Sequence, residues 1–286
     1  MFLVTQFIGL FVVSHYSNGQ NELPFGLQPP AVQTQSDYYN FFPSIIVAFV
    51  FAILAFFFLT KLRIEFILKA WFLLVVALAL SISFLAIIPK FQNAILVAMI
   101  LSFGLAVWKI YGRNFVVHNL TELFIYPGIA AVFVPLLNVI TVIALLIIIS
   151  IYDMWAVWHS GIMQRMARYQ INQLKIFSGF FVPYASKKVK QQIANFKKTL
   201  SKSKLNKKKI KVNIAILGGG DVVFPIITSG VMFNTLGFVS AVWVILGATL
   251  GLTFLFYISE KKKFYPAMPF ITSGILLGII ASYLFI

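Results

Sequence analysis

Hydrophobic residues run through this chain in long segments that short polar stretches separate. A run of about 20 apolar residues can cross the ~30 Å hydrocarbon core of a bilayer as an α-helix. We identify nine apolar segments and predict a membrane-spanning helix in each: residues 2–14, 42–60, 64–88, 91–110, 116–134, 136–158, 212–233, 238–259 and 266–286. The first is short, but it lacks the basic residues and the cleavage site of a signal peptide, so we predict a retained helix.

The composition indicates an all-α, polytopic membrane protein. Hydrophobic residues make up 60% of the chain and charged residues only 10%, whereas about 25% of a soluble domain is charged. The absence of cysteine excludes disulfides, thiolate metal sites and a cysteine nucleophile. The three histidines, His15, His118 and His159, do not cluster in the sequence. We therefore expect neither a metal nor another cofactor.

Charged residues predict the orientation of the segments. The loop after the first segment holds Glu22 and Asp37 but no Lys or Arg, whereas the loops after the second and fourth segments are basic and include Arg63 and Lys109. Residues 165–211 then carry 14 Lys or Arg and no acid. The positive-inside rule places the amino terminus and this basic stretch in the cytoplasm. Nine spans then place the carboxyl terminus outside.

A basic loop at residues 159–211 separates a six-helix block, 1–158, from a three-helix block, 212–286. Apolar residues recur at helical spacing among its lysines, at Val189, Ile193, Phe196 and Leu200. This pattern is typical of an amphipathic helix lying on anionic lipid headgroups. A solvated charge block that only sets the topology is one alternative, and a nucleic-acid-binding segment is another. Because the loop carries no recognition motif, we expect no nucleic-acid partner.

Two aspartates, Asp153 and Asp221, lie in successive apolar segments, where a charge is costly and indicates function. Helical rise places them about 8 Å and about 12 Å from the cytoplasmic ends of their predicted helices, which are antiparallel neighbours. Two facing carboxyl groups at this depth would share one proton. The ionised group could then take a proton from an attacking water while the neutral group protonates a peptide carbonyl.

Three short motifs carry a family resemblance, in the order Ser150-Ile151-Tyr152-Asp153, Gly218-Gly219-Gly220-Asp221 and Pro266-Ala267-Met268-Pro269. They resemble the Tyr-Asp, Gly-x-Gly-Asp and Pro-Ala-Leu motifs of presenilins and signal peptide peptidases, which are intramembrane aspartyl proteases. The resemblance implies a nine-helix presenilin-like fold, catalysis by the two aspartates, and transmembrane-helix peptides as substrates. Met268 replaces leucine, a nearly volume-conserving change, and Gly219 occupies the variable position.

The other motif residues have properties that suit such a site. The glycines at 218–220 weaken helix propensity by about 1 kcal/mol each relative to alanine, or they form a small-residue packing face. Tyr152 is either a hydrogen-bond donor to the site or a packing residue. The prolines of the third motif disfavour helix in the residues before them. We therefore expect an extended segment at Pro266, Ala267 and Met268 that shapes or gates the cleft.

The chain before the second aspartate alternates polar and apolar residues from 209 to 216, which is typical of a strand. We expect its edge, at Ile210, Val212 and Ile214, to capture an unwound substrate segment by strand addition. The alternative is the polar start of the seventh helix. Because the chain ends without a eukaryotic retention signal and implies no further subunit, we expect a self-sufficient prokaryotic homologue in the cell membrane. The sequence leaves homo-oligomerisation open.

Glu122 is the third acid within an apolar segment, and it follows His118 by one helical turn. Together with the two aspartates, this pair suggests an alternative function, a proton-coupled transporter or ion channel. The chain shows no repeated halves of the kind common in transporters. We therefore favour the protease and expect Glu122 to be a structural acid hydrogen-bonded to Asn119 or Tyr126.

Overall fold

The computed structural model describes residues 1–17, 23–26, 34–61, 65–89, 91–112, 114–159, 169, 176, 178–184, 213–259 and 265–285. In these residues the chain forms nine α-helices: α1 Phe2–Ser17, α2 Gln35–Lys61, α3 Glu65–Ile87, α4 Ala94–Gly112, α5 Phe115–Phe133, α6 Val139–Trp158, α7 Gly219–Leu236, α8 Phe238–Ile258 and α9 Met268–Phe285. Two strands, β1 Gly179–Tyr184 and β2 Asn213–Gly218, lie between α6 and α7 in the sequence. The protein is nearly all helical, as predicted.

Seven of the nine described helices are long and apolar enough to cross a membrane, namely α2 to α6, α8 and α9. Helix α1 is shorter, with 16 residues, and α7 carries glycines and an aspartate in its first turn. These helices make the chain a multi-pass membrane protein. The amphipathic helix predicted in the basic loop lies outside the described residues, at Val189, Ile193, Phe196 and Leu200.

The predicted start of the seventh helix at residue 212 was wrong. Residues Asn213–Gly218 form a strand, and the helix begins at Gly219. Asp221 therefore lies in the first turn of α7, and the depth of about 12 Å obtained from helical rise does not apply. The alternating pattern before the glycines identified the strand correctly, because side chains in a strand point to opposite faces in turn.

The two strands pair antiparallel with Phe181 opposite Ile216, and we call this pair of strands the hairpin. Strand β1 was not predicted, because its residues carry no clear alternation. Of the three residues predicted to form a substrate-binding edge, Ile214 lies in β2. The other two, Ile210 and Val212, lie outside the described residues.

Helix α7 lies inside the bundle, where it packs against α1, α5, α6 and α8. Its residues Val222 and Ile226 are fully buried. Helix α1 is part of this core, since Gln6 is fully buried and Gly9 lies directly against the side chain of Ile226. The predicted first helix thus helps to hold the helix that carries the second aspartate.

Glycines bring α8 and α9 into close backbone contact. Gly247 lies against the carbonyl of Gly274, and Gly251 lies against the carbonyl of Phe270. Small residues four apart are a common way for membrane helices to approach each other, because contact between the backbones replaces contact with lipid. This packing supports the amino-terminal end of α9, which faces the candidate site.

Candidate active site

Asp221 lies where β2 ends and α7 begins. Gly218 is the last strand residue and the N-cap of α7, and Asp221 is the third residue of the helix. The Asp221 carboxylate accepts a hydrogen bond from the backbone N–H of Gly218, as an acid at this position does in a capping box. The helix dipole favours negative charge here. The strand-to-helix transition therefore fixes the position of this carboxyl group.

Asp153 lies on α6, and its carboxylate faces the start of α9. Its Oδ2 accepts a hydrogen bond from the backbone N–H of Met268 at 3.1 Å, and the backbone of Ala267 also hydrogen-bonds to the carboxylate. One turn earlier on α6, Ser150 Oγ donates to Thr272 Oγ1 at 2.8 Å. The first N–H groups of a helix have no partner within the helix, so Asp153 satisfies one of them and fastens α6 to α9.

The two aspartates share one arrangement, in which each carboxylate is hydrogen-bonded to backbone at the amino-terminal end of a helix. Asp153 is 7% exposed and Asp221 is 8% exposed, and the two groups interact electrostatically. Two such carboxyl groups in a low-dielectric site hold one negative charge more easily than two, which favours a shared proton. In the described part of the chain, no group of three or more His, Asp or Glu side chains is arranged to hold a metal.

The glycines before the second aspartate differ in how tightly they are packed. A Cβ atom at Gly219 would lie 2.8 Å from Ser178 Oγ and 2.9 Å from the ring of Tyr126. At Gly220 the nearest atom is 3.6 Å away, in the ring of Phe224, which is an ordinary van der Waals contact. Gly219 therefore stands at a position that is closed to a side chain. The sequence motif had marked it only as variable.

The remaining predicted site residues lie around the carboxyl pair. Residues 265–267 are not helical and α9 begins at Met268, as the prolines predicted. Pro266 is buried, and Ala267 and Met268 contact the α6 aspartate through their backbone. Tyr152 is half-buried, and its ring centroid lies 6.4 Å from that of Trp155. The third motif therefore meets the site through main-chain groups.

Gln6 of α1 lies against the first turn of α7, a contact that was not predicted from the sequence. Its Nε2 donates to the carbonyl of Val222 at 3.1 Å, directly after the second aspartate in sequence. A lone amide in an apolar helix is the signal that could have found it, because a buried polar group requires a hydrogen-bond partner. Gln6 ties α1 to the backbone beside the carboxyl pair.

Glu122 is ion-paired with Lys109, and the expected hydrogen bond to Asn119 was wrong. The Nζ atom of Lys109 lies 2.5 Å from Glu122 Oε1, whereas Asn119 bonds to the backbone of Phe181. Tyr126, the other expected partner, does neighbour Glu122. The assignment of Lys109 to a loop was also wrong, because the residue is buried in the last turn of α4. A buried lysine therefore balances the charge of Glu122.

A polytopic helix bundle that buries two interacting carboxyl groups is the arrangement expected of an intramembrane aspartyl protease. The family model described as signal-peptide peptidase, presenilin aspartyl protease matches residues 1–286. The chain belongs to this family. Membership of this family does not support the alternative function of a transporter or ion channel.

Solved structures agree with this fold. Two structures of a presenilin family intramembrane aspartate protease, in space groups C222 and P2, each cover 100% of this chain. The first has a TM-score of 0.59 at 18% identity over 97% of its own chain. The second has a TM-score of 0.63 at 17% identity over 96% of its chain. Comparison with curated proteins gives no match.

Proposed function

We propose that this protein hydrolyses peptide bonds within transmembrane helices of membrane-protein or signal-peptide substrates, with Asp153 and Asp221 as the catalytic pair. One observation carries the proposal. It is the meeting of two buried carboxyl groups, each hydrogen-bonded at the start of a different helix. The family of the chain supports the reaction class.

The proposed reaction consumes one water and breaks one C–N bond. The ionised aspartate takes a proton from water as the water oxygen bonds to the substrate carbonyl carbon, and the neutral aspartate protonates the carbonyl oxygen. In the resulting diol, the newly protonated aspartate donates to the amide nitrogen. The other aspartate removes a hydroxyl proton, and the C–N bond breaks. The pair ends with one proton, as it began.

Among the described residues, the hairpin beside the catalytic pair contacts α5 along one edge and has no further strand along the other. His118 Nε2 bonds to the carbonyl of Gly179, and the Asn119 side chain bonds to both the N–H and the C=O of Phe181. These groups of β1 therefore point away from β2. In an antiparallel pair, the residues opposite them direct their own N–H and C=O groups to the far side. Ile216, opposite Phe181, thus presents its backbone at the outer edge of β2.

We infer that this outer edge captures substrate by strand addition. It offers the backbone groups of Ile214 and Ile216, and Ile210 and Val212 would extend the same edge because they share its alternation. Main-chain pairing is indifferent to side-chain identity, so selection would depend on how easily a substrate helix unwinds. Glycine and proline lower that cost by about 1 and about 3 kcal/mol relative to alanine.

The remaining motif residues receive supporting roles in this proposal. The non-helical segment through Pro266, Ala267 and Met268 shapes the cleft and holds the α6 carboxylate. Gly218 supplies the N–H group that holds the other carboxylate, and Gly220 gives the start of α7 freedom to open. The Tyr152 hydroxyl donates a hydrogen bond toward the bound substrate.

We further propose the setting in which the enzyme works. The charge pattern supports a prokaryotic cell membrane with the amino terminus and the basic loop 159–211 in the cytoplasm and the carboxyl terminus outside. The loop, between the helical blocks 1–158 and 212–286, would contact anionic lipid headgroups. The partners are then lipid and helical peptide, with no nucleic acid, and a homo-oligomer remains compatible with the sequence.

The test is cleavage of a single-pass membrane peptide by the purified chain in proteoliposomes. Mass spectrometry of the products locates the cut, and a transition-state analogue of aspartyl proteases serves as the inhibitor. We expect cleavage within the membrane-spanning part and its loss on adding the analogue. An intact peptide together with ion flux across the same vesicles would contradict the proposal.

A further inference from the structure

A buried polar face of α5 contacts the hairpin on the side away from β2. His118, Asn119 and Glu122 form this face, and Glu122 has no exposed surface. His118 and Glu122 are one turn apart, so both point toward β1 and the end of α4. None of these residues belongs to the three motifs, and the proposed reaction does not use them.

The contacts of Lys109 determine which nitrogen of His118 carries the proton. Lys109 Nζ lies 3.1 Å from His118 Nδ1 and 2.5 Å from Glu122 Oε1. An ammonium group can only donate, so Nδ1 is the acceptor and the imidazole is neutral with its proton on Nε2. That Nε2–H donates to the carbonyl of Gly179 at 2.8 Å. A continuous series of hydrogen bonds thus runs from Glu122 to β1.

Asn119 bonds to β1 as a neighbouring strand would. Its Nδ2 donates to the carbonyl of Phe181 at 2.9 Å, and its Oδ1 accepts from the N–H of Phe181 at 3.0 Å. The His118 ring packs on the ring of the same residue, with centroids 4.6 Å apart. Helix α5 therefore occupies the edge of β1 and fixes its position.

The free-energy cost of burying the Lys109–Glu122 ion pair indicates that the pair serves to position the hairpin. A buried ion pair is an inefficient way to stabilise a fold, because its desolvation offsets much of its attraction. The hairpin that it holds leads directly to the catalytic pair, since β2 ends at Gly218 and the N–H of Gly218 holds the Asp221 carboxylate. Because β1 and β2 are hydrogen-bonded to each other, a shift of β1 would also move β2 and the Asp221 carboxyl group at its end.

We propose that Lys109, His118, Asn119 and Glu122 are positioning residues that hold the hairpin and thereby set Asp221 against its partner aspartate. This inference rests on the proposed function. It assigns no contact with substrate to the four residues. They affect the distance between the two carboxyl groups. Removing them therefore both loosens the hairpin and slows the chemical step.

The first test replaces Asn119 with leucine, which has nearly the same volume and makes neither hydrogen bond. Thr121→Val is the matched control, because Thr121 is also buried on α5 and its hydrogen bonds within the described residues go to carbonyls of its own helix. The readouts are hydrogen exchange of residues 179–184 and 213–218, the thermal midpoint, and kcat and KM on a short extended peptide.

We expect Asn119→Leu to speed exchange of both strands and to lower kcat about tenfold or more with little change in KM, as a small misplacement of reacting groups does. Thr121→Val keeps the kcat and the exchange of the parent protein. Unchanged kcat and exchange in Asn119→Leu would overturn the proposal. So would equal losses in the control, or a fall in kcat that only follows the fraction unfolded.

The second test removes both charges in Lys109→Met/Glu122→Leu, which avoids the unpaired buried acid that Lys109→Met alone would leave. We expect a folded protein with faster hairpin exchange and reduced kcat. Full activity with unchanged exchange would remove the ion pair from the proposal. Hydrogen exchange is measured without substrate, so it separates this inference from the catalytic proposal. That proposal fails instead if the parent chain cleaves no peptide.

Discussion

Alanine at Gly219 and alanine at Gly220 should have opposite effects, although the residues are adjacent. A Cβ at Gly219 meets the Tyr126 ring at 2.9 Å and its hydroxyl at 3.0 Å, and Tyr126 is 1% exposed and cannot move aside easily. Overpacking of this kind costs about 1–3 kcal/mol. At Gly220 the nearest neighbour is 3.6 Å away, so alanine there should stabilise the start of α7 by up to about 1 kcal/mol through helix propensity.

Activity should separate the two variants further than stability does. Relief of the contact at Gly219 requires a shift of the first turn of α7, which carries Asp221 two residues later. A displacement of about 1 Å at a reacting group lowers a rate by about 10²-fold. We therefore expect Gly219→Ala to lose most of its cleavage activity and Gly220→Ala to lose much less, because alanine at Gly220 meets no close contact and costs only backbone freedom at the start of α7.

The assay is the initial cleavage rate of a single-pass peptide in proteoliposomes, with thermal unfolding in detergent measured on the same preparations. Both variants are compared with the parent chain at equal folded concentration. Full activity in Gly219→Ala, or equal losses in the two variants, would refute the packing argument. A large loss confined to Gly220→Ala would show that freedom to open at the start of α7 matters more than packing there.

Three further predictions concern the catalytic pair and the hairpin edge. Asp153→Ala and Asp221→Ala should each abolish cleavage while the protein stays folded, because each removes half of an acid and base pair; substantial residual activity in either purified variant excludes the pair. Activity should fall at both low and high pH, because two neutral carboxyls provide no base and two ionised ones provide no acid; a flat profile with chemistry rate-limiting would contradict the shared proton. Ile216→Pro removes an outward N–H from β2 and should impair cleavage of helical peptides more than of extended ones, with Ile216→Val as control; equal impairment of both argues against strand capture.

Several features of this protein were predictable from local sequence. Apolar runs predicted the helices, because a segment in a bilayer must satisfy its own backbone hydrogen bonds. The cost of charge in hydrocarbon singled out Asp153 and Asp221, and strict alternation before the glycines predicted the strand that contains Ile214. Prolines 266 and 269 predicted the non-helical start of the last segment. Each of these predictions depends only on the chemistry of residues that are close together in the sequence.

Other features depended on contacts between distant parts of the chain. Asn119 and Phe181 are 62 positions apart. The local sequence around each residue therefore predicts neither their hydrogen bonds nor the strand β1. From the sequence Lys109 was assigned to a loop, whereas the tertiary structure pairs it with Glu122 of α5. Gly219 occupies a variable position of its motif, but the contact with Tyr126 closes this position to a side chain. Burial, ion pairing and steric closure are properties of the packed bundle, because each depends on which surfaces the tertiary fold brings together.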